Sequence, residues 1–461
     1  MKLVESNSIH RDQSIPYIAL SHRWDGQITV AASTTSENIL PRLEQLTVDM
    51  LPRNFVHAME VTYELKINYL WIDSLCILQD TREDWDQESS MVTEVYQNSY
   101  CTISDQSGQA SSVGFFCSED VQNDSVEFRC SSLKDRSSKI VRAVKTQPSW
   151  VTLFERGPLQ SRGWCLQERE LSPRVLHYTP SQVLWECRAF KASEGWPTRD
   201  ISSELSKGHS GHNLRILDRI QALDPHEVYT LWLNTVRNYA SRSLTRYEDT
   251  FPALSDLARI VHGYVHCDYV AGMWAADLRR SIAWTPDRHM NDTRFSTSRH
   301  ATYVAPTWSW ASVKGTISLD KAKALSRDVS DETAAVIDGW KVTHLTRDPF
   351  NQIAAAELHM TAPILTAVLD YYSAASYYYL RGPHDTVNKW YGQMQFDVKA
   401  ESESLQVVWC IPLFTSDTGG GIGLALVPVQ GQEHTYRRVG HIWELEMSHF
   451  QTLERHSIIL V

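Results

Sequence analysis

The chain is poor in the features that mark metal, nucleic-acid or membrane proteins. Its eight cysteines, at 76, 101, 117, 130, 165, 187, 267 and 410, include no Cys-x-x-Cys pair. Neither a zinc site nor a disulfide framework is expected, and most thiols should be reduced and buried. The histidines, His177, His262 and His266 among them, are scattered and read as surface or satisfied core residues, so no metal and no cofactor is expected. Basic residues are in deficit, 44 Lys+Arg against 55 Asp+Glu for a net charge of −11. That balance argues against nucleic acid held on a broad basic surface. No stretch approaches the roughly 18 uninterrupted apolar residues of a spanning helix, and the opening Met1-Lys-Leu-Val-Glu-Ser-Asn-Ser8 lacks an apolar signal core. The expectation is a cytoplasmic protein with no membrane partner. Internal repeats and low-complexity tails are also lacking. Gly419-Gly-Gly-Ile-Gly423 has neither the following Lys nor the strand-to-helix setting of a phosphate loop, and reads as a turn or hairpin.

What the chain does have is length for two or three domains and a strand, helix, strand order near its start. Tyr17–Leu20 and Tyr69–Ile72 are short apolar runs ending in polar clusters, the pattern of buried parallel strands whose carboxyl ends open into a site. Between them Phe55, Ala58, Met59, Thr62 and Leu65 recur at helical spacing. A second helix, started by Asp80-Thr-Arg-Glu83, continues with Trp85, Glu88, Val92 and Tyr96 on one face, and Tyr100–Ser104 follows as a strand. Residues 105–160 read as a polar insertion with one or two strands, and 175–178 and 182–187 as paired strands closing an α/β domain over residues 1–190. Residues 190–212 read as a linker. Apolar stripes at Trp232, Val236, Tyr239 and at Leu254, Leu257, Ala258, Val261 predict a helical connector to 290. Alternating runs predict a mainly antiparallel β-rich region over 291–461, with Trp308 and Trp310 two apart on one side of a strand.

Candidate chemistry gathers in three blocks. Tyr17-Ile-Ala-Leu-Ser-His-Arg-Trp24 puts Ser21, His22, Arg23 and Trp24 where the first strand ends, the favoured place for ligands in an open α/β sheet. Arg23 suits a phosphate or carboxylate, His22 a proton transfer, and Trp24 stacking on an aromatic ring. In Tyr69-Leu-Trp-Ile-Asp-Ser-Leu-Cys-Ile-Leu-Gln79, Asp73, Cys76 and Gln79 lie beyond the second strand, with Cys76 read as packing between Leu75 and Ile77. Arg162-Gly-Trp-Cys-Leu-Gln-Glu-Arg-Glu-Leu-Ser-Pro-Arg174 brings Arg162, Trp164, Gln167 and Glu168 together. On a helix, Trp164 and Glu168 share a face, and burial there would raise the carboxyl's pKa. The opposing reading is an ion pair from Glu168 to Arg162 or Arg174 that fastens the block to the sheet.

In order and spacing these blocks, with Met91-Val-Thr-Glu-Val-Tyr-Gln-Asn98, resemble the signature of the fungal heterokaryon-incompatibility (HET) domain. Arg23, Asp25 and His57, the last at a position commonly acidic in that family, depart from its pattern. Segments at 247–258, 271–278 and 305–313 resemble those that commonly follow the domain. Trp164-Cys-x-x-Glu168 is also similar to the Trp-Cys-x-x-Glu segment of Toll/interleukin-1-receptor (TIR) domains, whose glutamate is catalytic in members that cleave NAD. The resemblance implies an open, mainly parallel, TIR-like sheet and a fungal protein of the nonself-recognition and cell-death class. Its ligand would be a nucleotide such as NAD, with Glu168 catalytic and Trp24 or Trp164 on the base. Two other readings stand beside it. One is a cofactor-independent enzyme of secondary metabolism, dehydrating, cyclising or isomerising a small hydrophobic molecule through His22, Asp73 and Glu168. The other is a non-catalytic signalling module with a protein partner or self-association.

The cysteine pattern makes a prediction: unreduced, denatured protein should titrate eight thiols, the full count of the chain, and carry no stoichiometric zinc. Fewer thiols, or bound zinc, would overturn the reading.

Overall fold

A computed structural model describes residues 1–6, 15–23, 30–108, 110–116, 125–131, 138–144, 150–155, 157–198, 215–287, 297–320, 333–372, 377–383, 390–415 and 420–461. The chain divides into two compact units, 1–218 and 219–461. In chain order the first contains β1 (Tyr17–Ser21), α1 (Ile39–Glu44), α2 (Arg53–Glu64), β2 (Tyr69–Ile72), α3 (Asp73–Cys76), α4 (Arg82–Asn98), β3 (Cys101–Asp105), β4 (Ser125–Ser131), β5 (Ser138–Val144), α5 (Trp150–Glu155), α6 (Trp164–Leu171), β6 (Arg174–Tyr178), β7 (Val183–Cys187) and β8 (Lys191–Ser193). Its main sheet has the order β2-β1-β3-β6-β7-β8. The first four strands are parallel and the last two antiparallel. The polar insertion supplies β4 and β5 as a separate antiparallel hairpin.

Period-2 alternation gives this sheet two unlike faces. Ile18, Leu20, Ile72, Cys101 and Ile103 form one apolar core with Phe55, Ala58 and Val61 of α2. On the other face the register sets Ala19 beside Thr102, Ser21 beside Ser104, Ser104 beside His177, and Val175 beside Glu186. These residues are buried too. Parallel sheets covered on both sides usually carry branched apolar residues on each face, so a small, polar inner face has to find hydrogen-bond and ionic partners. It finds them on α6 and its flanks. Thr102 Oγ1 lies 2.6 Å from Ser172 Oγ. Arg169 Nε and Nη2 each donate at 2.8 Å to Glu186, and Lys191 Nζ stands 2.5 Å from the same carboxylate. His177 Nε2 is 3.1 Å from Glu186 Oε2. The Arg169 guanidinium in turn packs on the Phe154 ring of α5.

In the second unit the expected stripes form helices Pro225–Ala240 and Pro252–Val265, with Trp232, Val236, Tyr239, Leu254, Leu257 and Val261 buried. The strands from Val336 to Leu460 make a nine-stranded sheet. Six of them, Leu365–Tyr372, Tyr377–Arg381, Trp390–Phe396, Val407–Thr415, Gly421–Pro428 and Thr435–Leu445, close into a barrel, its interior filled by residues such as Met394, Phe396, Val408 and Ile442.

Several expectations need correction. Residues 269–274 belong not to a helix but to a tight antiparallel hairpin. Ala271 and Gly272 both take positive φ, 47° and 91°, the backbone of a two-residue primed turn. Trp308 and Trp310 lie in a turn and a 3₁₀ segment rather than on a strand, because their indole N–H groups reach back to Leu460 O and Gly272 O. Residues 191–193 of the expected linker are a sheet strand, since Lys191 is drawn inward by Glu186; the remainder from 199 lies outside the described residues, as does Gly419. Of the seven described cysteines, all free, only Cys101, Cys165 and Cys410 are buried; Cys117 is outside the described residues. Among the described residues no helix is long and apolar enough to cross a membrane.

Glu186 is fully buried, and Arg169 and Lys191 hold its carboxyl well below the ordinary range against the opposing effect of burial. A depressed carboxyl stabilises the fold above its unfolded-state pKa and loses that contribution as pH falls through the folded value. Glu186→Gln should therefore cost about 3–5 kcal/mol at neutral pH, by leaving buried cations uncompensated, and the gap to the native chain should close in acid. Denaturant unfolding across pH measures it; equal stability at neutral pH would contradict the role.

Candidate functional site

The strand order reverses between β1 and β3, and the carboxyl ends of such strands are where an open α/β sheet forms its crevice. β1 ends at Ser21, and β2 runs directly into α3, which begins at Asp73. α6 lies across the polar face with Glu168 one turn after Trp164. The hydroxyls of Ser21 and Tyr96 both donate to the Glu168 carboxylate. Tyr96 Oη also lies 3.4 Å from Leu20 O, and Ser21 Oγ is 3.9 Å from Cys165 Sγ. Arg162 Nη1 donates to His22 O at 3.0 Å, which ties the start of the third block to the end of β1. His22, buried and edge-on to Phe55, has Nδ1 3.7 Å from Asp73 Oδ1.

Opposing effects act on Glu168. Crowding by protein atoms is the largest and raises its pKa; the Ser21 hydrogen bond and the Arg162 charge lower it; Asp73 raises it again; Tyr96 lowers it. The balance is a raised carboxyl on a residue that still keeps partial solvent access. Burial, and then Glu168, push the Tyr96 phenol well above its usual value. Such a carboxyl is suited to holding and moving a proton.

Ser21, His22, Asp73, Arg162 and Glu168 are thus brought together. Other candidates stand apart from that group. Arg23 is exposed just past β1, Trp164 is half-buried at the start of α6, and Trp24 lies outside the described residues. Gln167 is buried and holds α6 to α4 through Thr93 at 3.5 Å. Gln79 Nε2 is engaged by the carbonyls of Asp73 and Ile77. Cys76 is exposed as a residue, but its Sγ turns inward to accept from the Ile72 amide at 3.5 Å, and burial of the sulfur pushes its pKa up to about 11. Arg174 does not pair with Glu168: it caps Tyr100 O at 3.0 Å, at the amino ends of β3 and β6. The third block is fastened by Arg162 on His22 O and by Arg169 on Glu186. His57, in place of an acid, accepts from the amides of Phe115 and Phe116. His262 and His266 are four apart, but His266 ends its helix in left-handed conformation, φ 46°. No group of three metal-ligating side chains occurs among the described residues. Sequence reasoning missed Tyr96 as a site residue; the helical stripe placed it on a packing face, and only the position of its hydroxyl reveals the second role.

A raised Glu168 means that the folded state holds the proton more tightly than the unfolded chain. Stability should then fall as pH rises from the unfolded-state value through the folded one. Glu168→Gln removes this dependence, so the variant should gain on the native chain over that interval. Paired unfolding curves at stepped pH are the check, and a stability difference that does not vary with pH would contradict the assignment.

Comparison of the chain with curated proteins and with solved structures gave no match. Residues 17–168, from the first residue of β1 to Glu168 itself, match the family model described as heterokaryon incompatibility protein (HET), and the chain therefore carries a HET domain over that segment.

Proposed function

We propose that this HET domain is the effector of a cytoplasmic protein of the nonself-recognition and cell-death class, and that it acts by hydrolysing the N-glycosidic bond of a nucleotide such as NAD. The observation that carries the proposal is the raised Glu168 carboxyl between Ser21 and Tyr96, one turn from Trp164. In the reaction the C1′–N bond breaks with its electron pair passing to the nicotinamide nitrogen. Water adds to C1′, and its proton passes to Glu168. A base with a pKa moved toward neutrality serves that transfer best. Trp24 or Trp164 would stack on the base, and Arg23 would meet the phosphates. The order β2-β1-β3-β6 has the reversal of flavodoxin-like sheets, which supports reading Trp164-Cys-x-x-Glu168 in a TIR-like frame.

A second reading draws on the approach of His22 to Asp73: proton transfer on a small metabolite, with His22 and Glu168 as acid and base. Incubation of the purified chain with NAD separates the two. Nicotinamide release that falls about 10²–10⁴-fold in Glu168→Gln, with little change in thermal midpoint, supports the first. Absence of release, or a variant that is destabilised yet fully active, refutes it.

A further inference from the structure

Tyr96 reaches the candidate site from α4, where the helical stripe made it a packing residue. Its ring does pack: it stands edge-on to Trp71 of β2, with centroids 5.7 Å apart and planes at 78°, and the residue is buried. One turn earlier on α4, Thr93 Oγ1 lies 3.5 Å from Gln167 Nε2. α4 therefore holds two consecutive residues of α6, Gln167 by its amide and Glu168 by its carboxyl. A phenylalanine would fill the same space as Tyr96, so packing leaves the hydroxyl unexplained, and a buried hydroxyl is a cost unless it is hydrogen-bonded. Tyr96 Oη has two acceptors within reach, the Glu168 carboxylate and, at 3.4 Å, Leu20 O. It has a single hydrogen to give.

We propose that Tyr96 is the positioning residue of the Glu168 carboxyl, and that its hydroxyl turns from that carboxylate to the Leu20 carbonyl as Glu168 takes up a proton, an inference that rests on reading Glu168 as the proton-moving group but on no particular substrate. The two acceptors are unequal. An ionised carboxylate draws a charge-assisted bond roughly twice as strong as a neutral one, and 3.4 Å is long for an O–H···O bond. While Glu168 is ionised, the phenol hydrogen belongs to it. Once Glu168 is protonated, its own O–H donates to the phenol oxygen and frees the phenol hydrogen for Leu20 O. No bond of the phenol breaks: the hydrogen swings about the Cζ–Oη axis, and the proton on Glu168 comes from solvent or from the reacting molecule. Burial, and then Glu168, push the phenol well above its usual pKa, so Tyr96 keeps its hydrogen throughout the range in which a carboxyl titrates. Around the pair stand Arg162 before α6, Asp73 at the start of α3 and Cys165 on α6. The side chain of Glu168 thus keeps one orientation with or without its proton, as a group that takes a proton and returns it in one turnover requires.

The test is carbon-13 NMR of the full chain labelled at tyrosine Cζ and at the glutamate carboxyl, with the two resonances assigned by their loss in Tyr96→Phe and Glu168→Gln. The Tyr96 Cζ signal should shift with the same midpoint as Glu168 and lose that inflection in Glu168→Gln. In Tyr96→Phe the Glu168 midpoint should rise by about one pH unit, the effect of one hydrogen bond lost from the ionised form. The pH profile of nicotinamide release from NAD should move up with it, kcat falling more than KM changes. A Tyr96 signal indifferent to the titration of Glu168, or a Glu168 midpoint unmoved in Tyr96→Phe whatever the loss of thermal stability, overturns the proposal. Should Tyr96→Phe fail to fold, the Tyr96 signal in the native chain and in Glu168→Gln decides alone. Coupled titration without NAD cleavage leaves the role of Tyr96 standing and removes the hydrolase reading; cleavage with an uncoupled Tyr96 does the reverse.

Discussion

The bidentate pair between Arg169 and Glu186 is the constraint on which the rest of the N-terminal unit depends. A sheet face built from Ala19, Ser21, Thr102, Ser104, His177 and Glu186 gains little from apolar burial, and its carboxylate could not be buried alone. Charge-assisted hydrogen bonds from Arg169, supported by Lys191 and His177, replace the water that Glu186 gives up. Whether such a cluster exceeds an apolar core in stability is a separate matter, since buried pairs often do not. What it supplies is position: two parallel N–H···O bonds in a fixed fork set both the register and the rotation of α6 on the sheet.

That rotation decides where the neighbouring residues go. Glu168, Arg169 and Glu170 are consecutive and project about 100° apart around the helix, from 3.6 residues per turn. With Arg169 fixed on Glu186, Glu170 reaches the amide of Ile216 at 2.8 Å, and Glu168 meets Ser21 and Tyr96. The adjacent carboxylates play different parts because one helix places them in different surroundings. Glu168 sits at the end of β1 with Asp73 as a neighbouring like charge, and a crowded carboxyl there keeps its proton more readily than one in water.

Much of this was legible from residue order. Apolar runs with polar ends located β1 and β2, and helical spacing located α2 and α4, because local periodicity reports burial directly. Trp164 and Glu168 four apart on one helix, and Ser21 and Asp73 at the carboxyl ends of neighbouring strands, followed from strand and helix geometry. What stayed hidden were partnerships between distant positions. Nothing near Glu186 or Lys191 in sequence signals that they meet Arg169, so Lys191 looked like linker and the clamp was sought in Arg162 or Arg174 paired with Glu168. Likewise the turn at Ala271 and Gly272 interrupts a run that reads as helical by composition, and its hand is set by backbone conformation that side-chain pattern does not encode.

The central claim is that Glu168 is a proton-holding carboxyl made so by its place on the polar face. The direct measurement is a pH titration of the full chain labelled with carboxyl-¹³C glutamate, the Glu168 resonance being assigned by its loss in Glu168→Gln. The account predicts a midpoint above that of ordinary glutamates. A midpoint at or below theirs would show the Ser21 and Arg162 interactions prevailing over burial, and would contradict it.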